Sequence, residues 1–362
     1  MKQQNFFRMF ILPAIILSQI VMAFGQSGGQ SGGVYNIKQS VIAGGGGTVQ
    51  NGSFKIQSTI GQPVAGAKMT GMTYSIASGF WGASASPNVS RPPKFDFDGD
   101  GKADLAVFRP NEANWHIQRS TLGYAVQNFG LANDLLVPAD FDGDGKADMA
   151  VYRNGVWFSI NSSNGALGGG SFGLASDIPA PGNFDGDAKD DLAVFRPSTG
   201  DWYMLNSSNG TYSVTHFGQN GDRPVIADYD GDGKADIAVF RPADGNWHIL
   251  RSTLGYTAAN FGSPGDKPIA GDFDGDGKAD LTIFRPSQGS WYSFRSTQGF
   301  YGVNFGLLND IPAAADYDGD GKMDVAVYRA GVWYRMNSSN AQVQITSFGL
   351  AADKPVPAAF VQ

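Results

Sequence analysis

The sequence predicts an all-β fold: a β-propeller of six four-stranded blades, preceded by a small glycine-rich β module. Three observations predict it. From residue 93 to the end, one unit recurs six times, at intervals of 43 to 45 residues. A period of this size marks propellers and solenoids. Each unit holds about four short apolar or alternating runs bounded by turn residues, which is the content of one blade. No stretch carries helical periodicity.

Residues 1–25 read as a secretory signal peptide. Lys2 and Arg8 precede an apolar run from Met9 to Phe24, and Ala23 and Gly25 are small residues suited to a cleavage site. The run contains Pro13, Ser18 and Gln19 and falls short of the roughly 20 residues that span a bilayer, so export with no remaining membrane span is expected. Residues 26–33 are a Gly/Ser/Gln-rich lead-in. Residues 34–82 form the small module. Ser53–Gln57 and Thr73–Ile76 alternate like strands, with turns expected at Gly44–Gly47, Asn51-Gly52 and Thr70-Gly71. A Ser/Pro linker at 83–92 leads to the repeats at 93–362.

The first repeat shows the parts. Phe95–Phe97 ends a short strand leading into Asp96-Phe97-Asp98-Gly99-Asp100-Gly101-Lys102-Ala103-Asp104. Leu105–Phe108 is continuously apolar and reads as a strand buried on both faces. Pro110 ends it, because proline cannot donate to the ladder. Asn114–Arg119 is a third strand holding Trp115. A Ser-Thr-Leu-Gly turn follows, and then a fourth strand ending at Phe129-Gly130.

The nine-residue loop carries the chemistry. Carboxylates at positions 1, 3, 5 and 9 of a tightly turning backbone converge on one hard cation, and calcium takes six to eight oxygens at about 2.3–2.6 Å. The expected ligands are Asp96, Asp98, Asp100 and Asp104 with the Lys102 carbonyl; Asp140, Asp142, Asp144 and Asp148 with Lys146; Asn183, Asp185, Asp187 and Asp191 with Lys189; Asp228, Asp230, Asp232 and Asp236 with Lys234; Asp272, Asp274, Asp276 and Asp280 with Lys278; and Asp316, Asp318, Asp320 and Asp324 with Lys322. The lysine side chains are expected to point outward. Loop 3 departs from the pattern. Asn183 replaces the first aspartate, Ala188 replaces the glycine at position 6, and Asp190 is an added acid. It is expected to be the weakest of six calcium sites, with its turn strained by about 1 kcal/mol.

The acid inventory supports this reading. Of 33 acidic residues, 23 stand at loop ligand positions. Six more occupy a second repeated position: Asp134, Asp177, Asp222, Asp266, Asp310 and Asp353. The net charge of −7 is therefore metal-site charge and says nothing of nucleic acid. There is no cysteine, so metal loops take the stapling role that disulfides often hold in exported proteins.

Phe-Gly recurs at 129, 172, 217, 261, 305 and 348, each time before a loop with Asp and Pro, and the acidic loop follows about eleven residues later. This pattern resembles the FG-GAP/VCBS-type repeat over residues 93–362. The resemblance implies a β-propeller with calcium loops between the first two strands of each blade, as in integrin α-subunit heads. Lys354–Phe360 matches the strand before each loop and is a candidate to complete blade 1, in competition with Pro93–Phe97. Six blades are favoured; seven, with 34–82 contributing, is the alternative.

Trp115, Trp157, Trp202, Trp247, Trp291 and Trp333 recur once per repeat, either as sugar-stacking platforms or, the preferred reading, as packing between sheets. Arg109, Arg153, Arg196, Arg241, Arg285 and Arg329 are read as structural, bonding strand ends. Residues that break the repeat are few: Glu112, Asp201, Asp244, His116, His216 and His248. They do not supply the paired carboxylates of a glycosidase. The chain lacks Cys and HExxH. The function expected is non-enzymatic: an exported, calcium-stabilised module that binds or adheres to an extracellular protein or glycan, at the cell surface or beyond. A lectin or a polysaccharide lyase-like enzyme on the same scaffold is the alternative.

Overall fold

The computed structural model describes residues 94–361, together with the backbone of four short strands between residues 47 and 76. The chain divides into two compact units, Met1–Ala83 and Ser84–Gln362. The expected signal peptide, lead-in and linker lie outside the described residues.

In the first unit, Gly47–Asn51 pairs with Phe54–Ser58, and Met69–Gly71 pairs with Tyr74–Ile76, both antiparallel. Thr70 and Gly71 therefore belong to a strand and not to a turn. Gly71 pairs with Tyr74 at the end of that ladder.

The second unit is a six-bladed propeller of four-stranded antiparallel sheets. Blade 2 is typical. Its strands are Leu135–Leu136, Met149–Arg153, Val156–Ile160 and Leu167–Ser171, in that order across the sheet. The first strand is only two residues long in every blade except blade 5, where Lys267–Gly271 takes its place. Proline is its second residue at 179, 224, 312 and 355, which is tolerated because an innermost edge strand needs no second ladder partner. The second strand is buried along its length, the third alternates and the fourth is largely exposed.

The ring closes through a composite seam. Lys354 and Pro355 pair with Phe108 and Val107, so the end of the chain supplies the first strand of blade 1. The chain then leaves the ladder in a 3₁₀ turn, Val356–Phe360. Phe95 takes over, its carbonyl accepting from Asp104 N–H as Ala139 accepts from Asp148 in blade 2. The expected strand at Phe95–Phe97 is a turn, because the place it would fill in the ladder is already taken. The two contenders share the position, with the rings of Phe95 and Phe360 6.3 Å apart. The four described strands between residues 47 and 76 pair with one another, and none of them belongs to the six four-stranded sheets.

The six repeat tryptophans are at most 2% exposed, and each indole N–H donates to the carbonyl of the Phe in its blade's Phe-Gly pair, at 2.7–3.0 Å. Buried rings cannot stack on a sugar, so the packing reading stands. The Phe-Gly glycine has positive φ in every repeat, and a Cβ on Gly218 would lie 2.9 Å from the Phe195 ring.

The repeated arginines meet the second set of repeated aspartates. Arg153 grips Asp134 with Nε and Nη2 at 2.6 and 2.7 Å, and the same fork joins Arg196 to Asp177, Arg241 to Asp222, Arg285 to Asp266 and Arg329 to Asp310. The sixth pair, Arg109 with Asp353, spans 244 residues and locks the ring. The constant spacing of 19 residues within the other five was the unused sequence signal for this pairing.

Candidate metal centre

In blades 2 to 6 the acidic loop connects the first and second strands, and in blade 1 it leads into the second strand, at the end of the sheet away from the arginine pairs. Its backbone is shaped by its own first residue. Asp96 Oδ1 accepts from Gly99 N–H at 2.6 Å, and its Oδ2 accepts from Gly101 N–H at 2.8 Å. Both glycines have positive φ, 83° and 86°. The ninth residue closes the loop: Asp104 Oδ2 accepts from Phe97 N–H and its Oδ1 from Ser120 N–H.

The turn between the third and fourth strands buttresses the loop. In blade 1, Thr121 and Leu122 N–H bind Asp98 Oδ2, while the Ser120 and Thr121 hydroxyls bind Asp100 Oδ2. In blade 2 the Asn-Ser-Ser turn does the same work. Ser162 binds Asp148 and Asp144, and Ser163 binds Asp142. The two spellings differ in length. Arg119 faces Gly123 across a three-residue turn, whereas Ile160 faces Leu167 across six residues. Both present Ser at the place that meets the metal loop.

The result is a set of converging carboxylate oxygens. Among the described residues, five loops bring three acidic side chains together with ligand atoms within 4.8 Å of one another: 96, 98 and 104; 140, 142 and 148; 228, 230 and 236; 272, 274 and 276; and 316, 318 and 320. Two oxygens each about 2.4 Å from one ion lie at most about 4.8 Å apart, so the spacing fits a shared cation. The third-position oxygens Asp98 Oδ1, Asp230 Oδ1, Asp274 Oδ1 and Asp318 Oδ1 are buried without a hydrogen-bond partner. A buried carboxylate oxygen left this way is costly unless something positive meets it. Desolvation, followed by neighbouring acids, pushes Asp104 up to about 7, and Asp236 and Asp280 up to about 6.

Loop 3 is built differently. Asn183 Oδ1 still accepts from Gly186 N–H, but its Nδ2 donates to the Asp187 carbonyl at 2.5 Å. In the other five loops the corresponding carboxylate oxygen accepts from the position-6 N–H. The peptide between positions 5 and 6 is thus turned over, and Ala188 is not among the residues of positive φ. The expected strain in the turn is absent because Asn183 and Ala188 are a matched pair. Asn183→Asp alone sets a carboxylate against a carbonyl and is expected to cost about 1–3 kcal/mol. Adding Ala188→Gly lets the peptide turn back and recovers most of the loss. Denaturant unfolding of the two single variants and the double variant reads this coupling directly.

The loops are also joined to one another. The position-8 N–H of each donates to the position-1 carbonyl of the preceding loop at 2.6–2.7 Å in all six cases, including Ala103 to Asp316 across the seam. Each loop lysine reaches back over the preceding loop rather than simply outward. A Cβ on the position-4 glycine would lie 2.8–3.2 Å from the carbon chain of the next loop's lysine, Lys146 over Gly99 and Lys102 over Gly319 among them.

The residues that break the repeat meet only locally, within their own blades, with Glu112 also 4.0 Å from His116 Nε2 in blade 1. Glu112 bonds Asn114, Asp201 bonds His216 at 2.8 Å, and Asp244 caps Asn246 N–H, in blades 1, 3 and 4 respectively. His116 and His248 stack on Tyr124 and Tyr256 in blades 1 and 4, three blades apart. The cavity on the central axis has a volume of only about 60 Å³ and is lined by inner-strand apolar residues with Lys94, Phe95 and Phe360, so it admits water-sized molecules.

The FG-GAP-like repeat matches the chain at residues 96–151, 183–239 and 272–327, each span holding two of the six acidic loops. No curated protein sequence matches the chain. Similar solved structures include virginiamycin B lyase from Staphylococcus aureus, at 10% identity over 73% of this chain and 87% of that one with a TM-score of 0.47. They also include an Agrocybe aegerita lectin that recognises non-reducing terminal N-acetylglucosamine, at 16% identity over 73% and 78% with a TM-score of 0.46. A third is BBS1N in complex with ARL6DN, at 11% identity over 71% and 82% with a TM-score of 0.45.

Proposed function

We propose that this FG-GAP-type repeat protein is an exported binding module whose propeller is held by calcium and which acts outside the cell on a protein or glycan without catalysis. The observation that carries the calcium reading is the buried, unpartnered third-position oxygen in four loops, set among other carboxylates. Donors that are all oxygen select a hard cation, and several carboxylates per site favour calcium over magnesium. The ligands are the residues at positions 1, 3, 5 and 9, with Asn183 making loop 3 the weakest site. The ion supplies charge neutralisation, and the protein supplies a rigid disc.

The binding reading rests on what the scaffold leaves over. Most acids are absorbed by loops and arginine pairs, and of the rest Glu112, Asp201 and Asp244 lie in separate blades. Calorimetric titration should find several calcium ions per chain, with Asp98→Ala removing one. A chain that takes up no calcium would overturn the metal assignment. A glycan array with and without EDTA tests the partner class, and product release from acidic polysaccharides would replace binding with lyase activity.

A further inference from the structure

We propose that one end of the ring docks on a lipid bilayer through a crescent of exposed leucines. Each blade passes to the next through a tip that begins directly after the Phe-Gly pair. Leu131, Leu174, Leu307 and Leu350 open four of the six tips and are 51–56% exposed, with Leu135 and Leu308 exposed beside them. The four junctions are consecutive around the ring, from blade 5 through blades 6, 1 and 2 to blade 3. They lie at the end that holds the arginine pairs, since Asp134 Oδ2 accepts from both Leu131 N–H and Arg153.

The backbone of the tip does not need leucine. In the four leucine tips the N–H of the leucine donates to Oδ2 of the repeated aspartate at 2.7–2.9 Å, and the aspartate N–H donates back to the leucine carbonyl at 3.0–3.2 Å. Gln219 and Ser263 make the same two bonds in the other tips. The turn therefore closes equally on a polar residue, and about half of each leucine stays in water. A turn pinned at both ends also holds the side chain out. Exposed apolar residues grouped in this way mark an interaction surface.

Shape and charge select the occupant. Because the same bonds recur at the same place in each repeat, the four leucines stand at one level around the axis. The tips read Leu-Ala-Asn, Leu-Ala-Ser, Leu-Leu-Asn and Leu-Ala-Ala, without a charge. The aspartate after each is buried and paired with its arginine. The tips also lack Trp, Tyr and Arg, the residues that anchor protein interfaces. The axial cavity, about 60 Å³, is too small to receive a partner's side chain. A level, uncharged, apolar array with no pocket and no aromatic anchor matches a bilayer surface, which gains from buried apolar area and penalises buried charge. The proposal does not depend on the protein or glycan reading above.

Leu→Gln at the tips copies Gln219, so the variants should fold and melt as the wild type does. Co-sedimentation of the calcium-loaded full chain with sucrose-loaded phosphatidylcholine vesicles decides the matter. The wild type should partition onto the vesicles. Leu131→Gln with Leu174→Gln should weaken partitioning at least tenfold, and so should Leu307→Gln with Leu350→Gln. Val343→Thr with Ile345→Thr, on the exposed fourth strand of blade 6, should leave it unchanged. Absence of wild-type partitioning overturns the proposal and leaves binding to a protein or glycan standing. Partitioning that survives all four leucine substitutions, or that falls as far with the fourth-strand pair, overturns it too. Sedimentation velocity without lipid should show a monomer. A dimer that the leucine substitutions dissociate would assign the crescent to a second copy of the chain and overturn the lipid reading.

Discussion

Chelation with EDTA at pH 7.5 should lower the melting temperature of this protein by about 15 °C or more. At free calcium ten times the Kd, each site adds about 1.4 kcal/mol to the folded state, and five sites together add about 7 kcal/mol. For a domain of this size 1 kcal/mol moves the transition by about 2–4 °C. The sign of the pH dependence should differ between the two forms. Burial raises Asp104 to about 7 and Asp148, Asp236, Asp280 and Asp324 to about 6, all above the value near 3.8 of an unfolded chain. A raised carboxyl contributes stability that is complete below about 3.8 and is lost as pH rises through 6 to 7. The metal-free protein should therefore become more stable as pH falls from 7.5 to about 5.5. The calcium-loaded protein should become less stable over the same range, because protons compete for the ligands. Melting curves in EDTA and in calcium across this window check both slopes. Parallel slopes would mean that the loops do not exchange protons for metal.

Deleting residues 351–362 should abolish the cooperative transition altogether. The deletion removes the first strand of blade 1, the fully buried Val356 and the aspartate of the Arg109–Asp353 pair. It exposes the row of backbone groups along Leu105–Arg109 that this strand covers. A finer comparison separates ring closure from local chemistry. Asp222→Asn and Asp353→Asn break the same bidentate pair, each with an aspartate almost fully buried. Losing one partner of such a pair costs about 3–5 kcal/mol. Asp353→Asn should cost more than Asp222→Asn, because only there are the two sides of the ring not otherwise joined by chain. Equal losses in urea unfolding would show that the seam carries no special share.

Most of the fold was legible because each feature occurs six times. A single DxDGDG loop or Phe-Gly pair would be ambiguous; the period turned them into blades. Five of the loops bring three acidic side chains together, and every glycine at positions 4 and 6 adopts the backbone that the carboxylate bonds require. Where sequence reasoning fell short, the missing information was relational. The six aspartates and six arginines were both visible, but their partnership needed the third dimension. Phe95 and Lys354 competed for one strand, and nothing local said that each would take part of it.

The matched pair in loop 3 has a consequence for how such a chain diverges from its own copies. If six repeats arose by duplication, the loop at 183–191 had to change at two positions to reach its present form. Asparagine with the old glycine turn faces the wrong backbone group, and alanine in the old turn is strained by about 1–2 kcal/mol. Either change alone passes through a less stable protein. The same barrier blocks the return, so loop 3 is held apart from its five siblings by the two-step path between them.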